Sequence, residues 1–135
     1  MQGKSEDHRP LPAEVLRAVE LSQELKAHQV TVLDLHGIST ATYYFVIASG
    51  NSDVQVKAIA DHIIEELKKE SLRPQHVEGL RGGRWVLLDY IEFVVHIFHP
   101  EARTFYQLEN LWGDAPRWEM SEGCLGEGAV TQSVP

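Results

Sequence analysis

Cysteine is almost absent from this chain. Cys124 is the only one in 135 residues, so an intrachain disulfide is excluded and a reducing compartment is expected. Long apolar runs are missing as well. His96 and the strand ends break every candidate before it reaches the roughly 20 residues that a membrane-spanning helix requires, so no membrane role is expected. Residues 1–10 are polar and of mixed charge. They lack the apolar core of a secretion signal and the Arg-rich, acid-poor character of a transit peptide, which predicts a cytoplasmic address. Basic residues are scarce: twelve Lys and Arg stand against twenty Asp and Glu, a net charge of −8. Nucleic-acid affinity depends on Lys and Arg neutralising phosphates, and no basic stripe is present. Little direct binding to RNA or DNA is therefore expected. An acidic chain suits a basic protein partner instead, because opposite charge speeds encounter and fixes orientation.

What is present suffices for one folded domain. A hydrophobic share of 43% supports a core without metal or disulfide. Pro12 can open a helix in which Val15, Leu16, Val19, Leu21 and Leu25 recur at near-helical spacing. Residues 30–35 and 43–48 are apolar, β-branched or aromatic runs and read as strands. After a break at Ser49, Gly50, Asn51 and Ser52 comes the clearest helix. Val56, Ile59, Ala60, Ile63, Ile64 and Leu67 line one face, with Lys57, Asp61, Glu65, Glu66, Lys68 and Lys69 around the rest. Short strands follow at 75–78, 84–90 and 93–98, then a helix from Pro100 to about Trp112. The order α-β-β-α-β-β-β-α predicts an α/β (α+β) domain with a mixed five-stranded sheet flanked by helices. The domain is expected over residues 11–118, with a flexible N-terminus at 1–10. Gly, Glu and Ser mark residues 113–135 as mostly loose, with a disordered tail at 119–135.

Catalytic machinery is hard to find. The turn from Ser49 to Ser52, between a strand and a helix, could cradle phosphate as it does in nucleotidyltransferases. Ser and Asn are also ordinary helix caps, and the plain cap is favoured. A nucleotidyltransferase would need two carboxylates on one strand face to hold magnesium, and same-face residues lie two apart. Asp89 and Glu92 are three apart and flank a turn. Asp34 and His36 could share a strand face, but His96 and His99 could not, and no Cys pair or His-Glu-x-x-His spacing supports a metal. No Gly-x-Ser-x-Gly elbow occurs. Neither catalytic residues nor a metal or other cofactor is expected. His96, between Val95 and Ile97, reads as a satisfied, half-buried histidine.

Aromatic residues carry a stronger signal. Strand alternation puts Trp85, Leu87 and Asp89 on one face and Val86, Leu88 and Tyr90 on the other. If the second face meets the core, the first is available to a partner. Tyr106, Glu109 and Trp112 recur at three-residue spacing along one side of the last helix. Trp and Tyr in such clusters are typical interface anchors, although they also serve to pack helices on sheets. An aromatic sheet face also suits pairing of two copies when the protein is free.

These segments resemble the ribosomal silencing factor family, also called RsfS or Iojap. The resemblance is carried by Asn51-Ser52-Asp53 before Gln55-Val56-Lys57-Ala58-Ile59-Ala60-Asp61-His62, and by Glu78-Gly79 before Trp85-Val86-Leu87-Leu88-Asp89-Tyr90. Val94-Val95-His96-Ile97-Phe98 and the run from Arg103-Thr104-Phe105-Tyr106 through Leu111-Trp112-Gly113-Asp114 continue it. It covers about residues 11–118. The resemblance implies a nucleotidyltransferase-like topology without that fold's catalytic acids. It further implies a translational repressor that binds the large ribosomal subunit through ribosomal protein fourteen and blocks joining of the small subunit under nutrient limitation. Trp85, Leu87, Asp89, Tyr106, Glu109 and Trp112 are then expected to form or border the docking surface. The chain departs from the family pattern at Tyr43, where Asp is usual, and at Ile91-Glu92, where Gly-Asp is usual. Ile is a poor choice at positive φ, so a different hairpin turn is expected there.

Overall fold

The computed structural model describes residues 10–106, 115–120 and 130–132. Its first eight elements follow the expected order: α1 (Ala13–Glu24), β1 (His28–Asp34), β2 (Tyr44–Ser49), α2 (Asp53–Lys69), β3 (His76–Glu78), β4 (Trp85–Asp89), β5 (Phe93–Phe98) and α3 (Pro100–Tyr106). Two strands then follow, β6 (Arg117–Met120) and β7 (Val130–Gln132). The sheet has seven strands rather than the expected five, in the order β3-β4-β5-β2-β1-β6-β7. Its class is the expected one, because β2 and β5 run parallel while the other neighbours are antiparallel.

The added strands show order at residues 117–120 and 130–132, within the stretch read as mostly loose. Trp118 pairs with Val32, and its side chain is only 5% exposed within the helix-side core. A composition rich in Gly and Glu suggested disorder, but the neighbouring β1 supplies an open edge of N–H and C=O groups that a short strand can satisfy.

Periodicity explains both long helices. Val56, Ile59, Ala60, Ile63 and Leu67 are buried along α2, and Val15, Ala18, Val19 and Leu21 along α1. Leu16, expected in the apolar stripe, is exposed. The helices cover one face of the sheet, packing on Val30, Val32, Val46, Ala48, Val86, Leu88, Val95 and Ile97. Each fully buried aliphatic side chain contributes roughly 1.5–3 kcal/mol, so this layer supplies most of the fold's cohesion. On the opposite face a smaller cluster gathers Leu33, Leu35, Ile47 and Phe98 under Ala102 of α3 and Ala115. Buried Arg103 fastens α3 there by donating to Ser49 Oγ at 2.9 Å and Thr31 Oγ1 at 3.3 Å.

Candidate functional site

Strand alternation on β4 divides the two faces as expected. Val86 and Leu88 are buried under the helices, whereas Trp85, Leu87 and Asp89 are half-buried on the other side. The sheet register then assembles rows across three strands: Leu87 with His96 and Ile47, and Asp89 with Val94 and Phe45. Trp85 lies opposite Phe98. The result is a half-covered aromatic and apolar patch, with one carboxylate toward the end of the sheet where β5 begins.

Trp85 is held in place from two directions. Its ring stacks on Phe98 with centroids 5.0 Å apart, and its Nε1–H donates to Nδ1 of His96 at 3.1 Å. An indole N–H is only a donor, so Nδ1 must carry the lone pair and the imidazole proton sits on Nε2. His96 is 4% exposed, which makes it buried rather than half-buried as expected, and Nε2 has no hydrogen-bond partner among the described residues. Burial pushes its pKa down to about 3, since a desolvated imidazole resists charging. Phe45 meets the same imidazole edge-on at 4.4 Å. Phe45 and His96 are members of this patch that sequence reasoning missed. Alternation alone could have put each on a face, but not on the same face as Trp85 without the β2–β5 register.

The turn that ends β4 contains a correction. Ile91 adopts φ +75° after all. Glu92 N–H donates to Tyr90 O at 2.9 Å, closing a three-residue γ-turn around Ile91. Asp89 Oδ1 accepts from Ile91 N–H at 2.8 Å and helps to hold it. The side chain of Ile91 is 54% exposed, so no steric neighbour compounds the backbone strain. Of the helix-borne candidates, Tyr106 ends α3. Its side chain, together with Glu109 and Trp112, lies outside the described residues.

The other sequence candidates resolve into structural roles. Ser52 caps α2, its Oγ accepting from Gln55 N–H at 3.1 Å. Gln55 in turn accepts from Asn51 N–H and donates to Leu25 O at 3.0 Å, tying the start of α2 to the end of α1. Gly50 sits so close to Val56 that a Cβ there would lie 3.0 Å from its side chain. The 49–52 turn is thus occupied by its own packing and capping. Asp34 and His36 do meet, Oδ1 to Nδ1 at 2.7 Å, but no third ligand joins them, and no group of three metal-ligating side chains occurs among the described residues.

Comparison with known proteins completes the picture. The model of the family described as "Ribosomal silencing factor during starvation" matches residues 8–133, so the family pattern extends beyond the 11–118 span expected from the sequence. The ribosomal silencing factor of Bacillus subtilis is 41% identical over 106 residues, 78% of this chain and 90% of that protein. That of Halalkalibacterium halodurans is 42% identical over 108 residues, 80% of this chain and 92% of its own length. A crystal structure of a Chromobacterium violaceum protein superimposes with a TM-score of 0.72 at 28% identity, covering 88% of this chain and 96% of the other. The chain belongs to the ribosomal silencing factor family.

Proposed function

We propose that this protein is a non-enzymatic translational repressor. It docks on the large ribosomal subunit through ribosomal protein fourteen, blocks joining of the small subunit, and acts when nutrients are scarce. Family membership supports the ribosomal setting, and the net charge of −8 suits a basic protein partner. The observation that carries the docking assignment is the half-covered face bearing Trp85, Leu87 and Asp89, with the indole already fixed by His96. An aromatic anchor that is ordered before contact loses less conformational freedom on binding. Asp89 supplies a carboxylate for a Lys or Arg of the partner, and Tyr106, Glu109 and Trp112 of the following segment would extend the surface. When the protein is free, the same face would pair two copies.

Cosedimentation of the purified chain with isolated large and small subunits tests this reading. Binding is expected to the large subunit alone, and added protein should lower the yield of joined ribosomes. Asp89→Lys should weaken large-subunit binding by about tenfold, equivalent to ~1.4 kcal/mol, whereas Asp89→Asn, which keeps an acceptor for Ile91 N–H, should hold thermal stability within about 1 kcal/mol and still weaken binding. Binding confined to the small subunit, or full binding by Asp89→Lys, would overturn the assignment.

A further inference from the structure

Away from the proposed docking patch, a cleft of about 180 Å³ opens where α1, β2 and β5 begin. Its walls are aromatic. Tyr43 stacks face to face on His36, with ring centroids 4.5 Å apart and planes 7° apart, and Tyr44 meets the same imidazole edge-on at 5.2 Å. Phe93 completes the wall. His36 is anchored from behind by Asp34, whose Oδ1 contacts both its Nδ1 at 2.7 Å and its backbone N–H at 2.9 Å. The stack is therefore a rigid feature, yet Tyr43 is 48% exposed. A large aromatic ring held half in water by its neighbours is a surface ready for contact.

The rim is acidic. Glu14, from the first turn of α1, and Glu92, from the β4–β5 turn, both border the cleft and are exposed. Among the described residues, neither makes an ion pair and no Lys or Arg lines the cleft. Tyr43 N–H donates to the backbone carbonyl of Glu92 at 3.1 Å, so the two residues are held side by side at the cleft. Against a cation stands the start of α1, whose dipole presents about half a positive charge. Two full carboxylates outweigh it.

We propose that this cleft binds an organic cation, and that its occupant is the guanidinium or ammonium group of an Arg or Lys side chain on a protein partner. The face of Tyr43 turned away from His36 offers cation–π contact, and Glu14 and Glu92 supply the counter-charge. Size narrows the choice, because pockets for nucleotide- or drug-sized ligands begin at roughly 300 Å³. One side-chain head group suits this cleft, whereas an extended polyamine would leave most of its charges outside it. The site depends only on the cleft's geometry and stands apart from the sheet-face assignment.

The test is a proton–nitrogen NMR titration of the full chain with Nα-acetyl-arginine amide, its uncharged citrulline counterpart, and spermidine. Saturable shifts confined to residues around His36, Tyr43 and Glu92 are expected with the arginine probe, with a Kd of about 1–10 mM. The citrulline probe should bind about tenfold more weakly, and Glu14→Gln with Glu92→Gln should weaken the arginine probe by about fivefold. Both glutamates are exposed, so melting of the double variant should match that of the parent and separate lost binding from lost folding. Absence of shifts up to about 50 mM, or equal binding of arginine and citrulline probes, would overturn the proposal. Spermidine binding at least about tenfold tighter than the arginine probe would overturn the side-chain occupant in favour of a free polyamine.

Discussion

Acid should destabilise this protein in part through one buried histidine. His96 is buried at 4% exposure, accepts a hydrogen bond at Nδ1, and has its pKa pushed down to about 3 by burial. In the unfolded chain an imidazole titrates near 6.5. Between these values the unfolded state binds a proton that the folded state refuses, so stability is fully present above pH 6.5 and falls as pH drops toward 3. From pH 7.5 to pH 5 the linkage amounts to roughly 2 kcal/mol, and this figure holds for any folded pKa well below 5. Other groups titrate in the same window, so the useful quantity is a difference. Urea unfolding of the parent and of His96→Phe, each at pH 7.5 and pH 5, isolates the contribution of this site. Phe suits the aromatic surroundings of Phe45, Trp85 and Phe98. The parent should lose about 2 kcal/mol more than the variant over the interval. Equal losses would mean that the folded state admits the proton, and the reasoning from burial would fail.

Three further outcomes follow from particular contacts. Ile91→Gly should raise stability by about 1 kcal/mol in urea unfolding, because Gly adopts positive φ without the steric cost a β-branched residue bears there; a clearly negative change would remove strain from the account of this turn. Trp118→Ala should cost about 3–5 kcal/mol as a core truncation, measured by the same method. A surface residue in a loose tail would change stability by less than about 0.5 kcal/mol. Ser52→Ala should cost about 1 kcal/mol through loss of the α2 cap and leave large-subunit cosedimentation intact, and loss of binding without loss of stability would give the turn a function after all.

Much of the fold was legible because periodicity is local. The α2 face from Val56 to Leu67 and the β4 alternation are written in consecutive residues, and both are found in the structure. β6 was illegible because its pairing depends on the edge that β1 offers, more than eighty residues earlier in the chain. Adding it and β7 to β1 is what turns an expected five-stranded sheet into seven. The docking patch was half legible. Trp85, Leu87 and Asp89 could be placed on one face by counting, whereas Phe45 and His96 join them only through the β2–β5 register. Ile91 shows the limit from the other side. Propensity argued against positive φ, but the pairing of Asp89 with Val94 leaves few residues for the turn, and Asp89 Oδ1 holds the strained N–H. Tertiary constraint outweighed a local cost of about 1–2 kcal/mol.

Unequal cover on the two faces of the sheet explains how one small domain can be both stable and available. Under α1 and α2 the inward side chains of β2, β4 and β5 are almost wholly buried, and this layer carries the cohesion of the fold. On the other face, α3 and Ala115 bury the end marked by Leu33, Ile47 and Phe98, while Phe45, Trp85, Leu87 and Asp89 stay half-buried. A face used only for packing would not need to leave the Asp89 carboxylate half-exposed beyond the one bond it accepts from Ile91 N–H. Nor would it need a polar acceptor at the centre of an apolar sheet. His96 answers a different demand, fixing the indole of Trp85 by a directed bond where apolar packing alone would let it turn. The buried imidazole must stay neutral to do so, because protonating Nδ1 would remove the lone pair that receives the indole N–H. Orientation of the proposed anchor and stability of the sheet therefore rest on the same uncharged histidine.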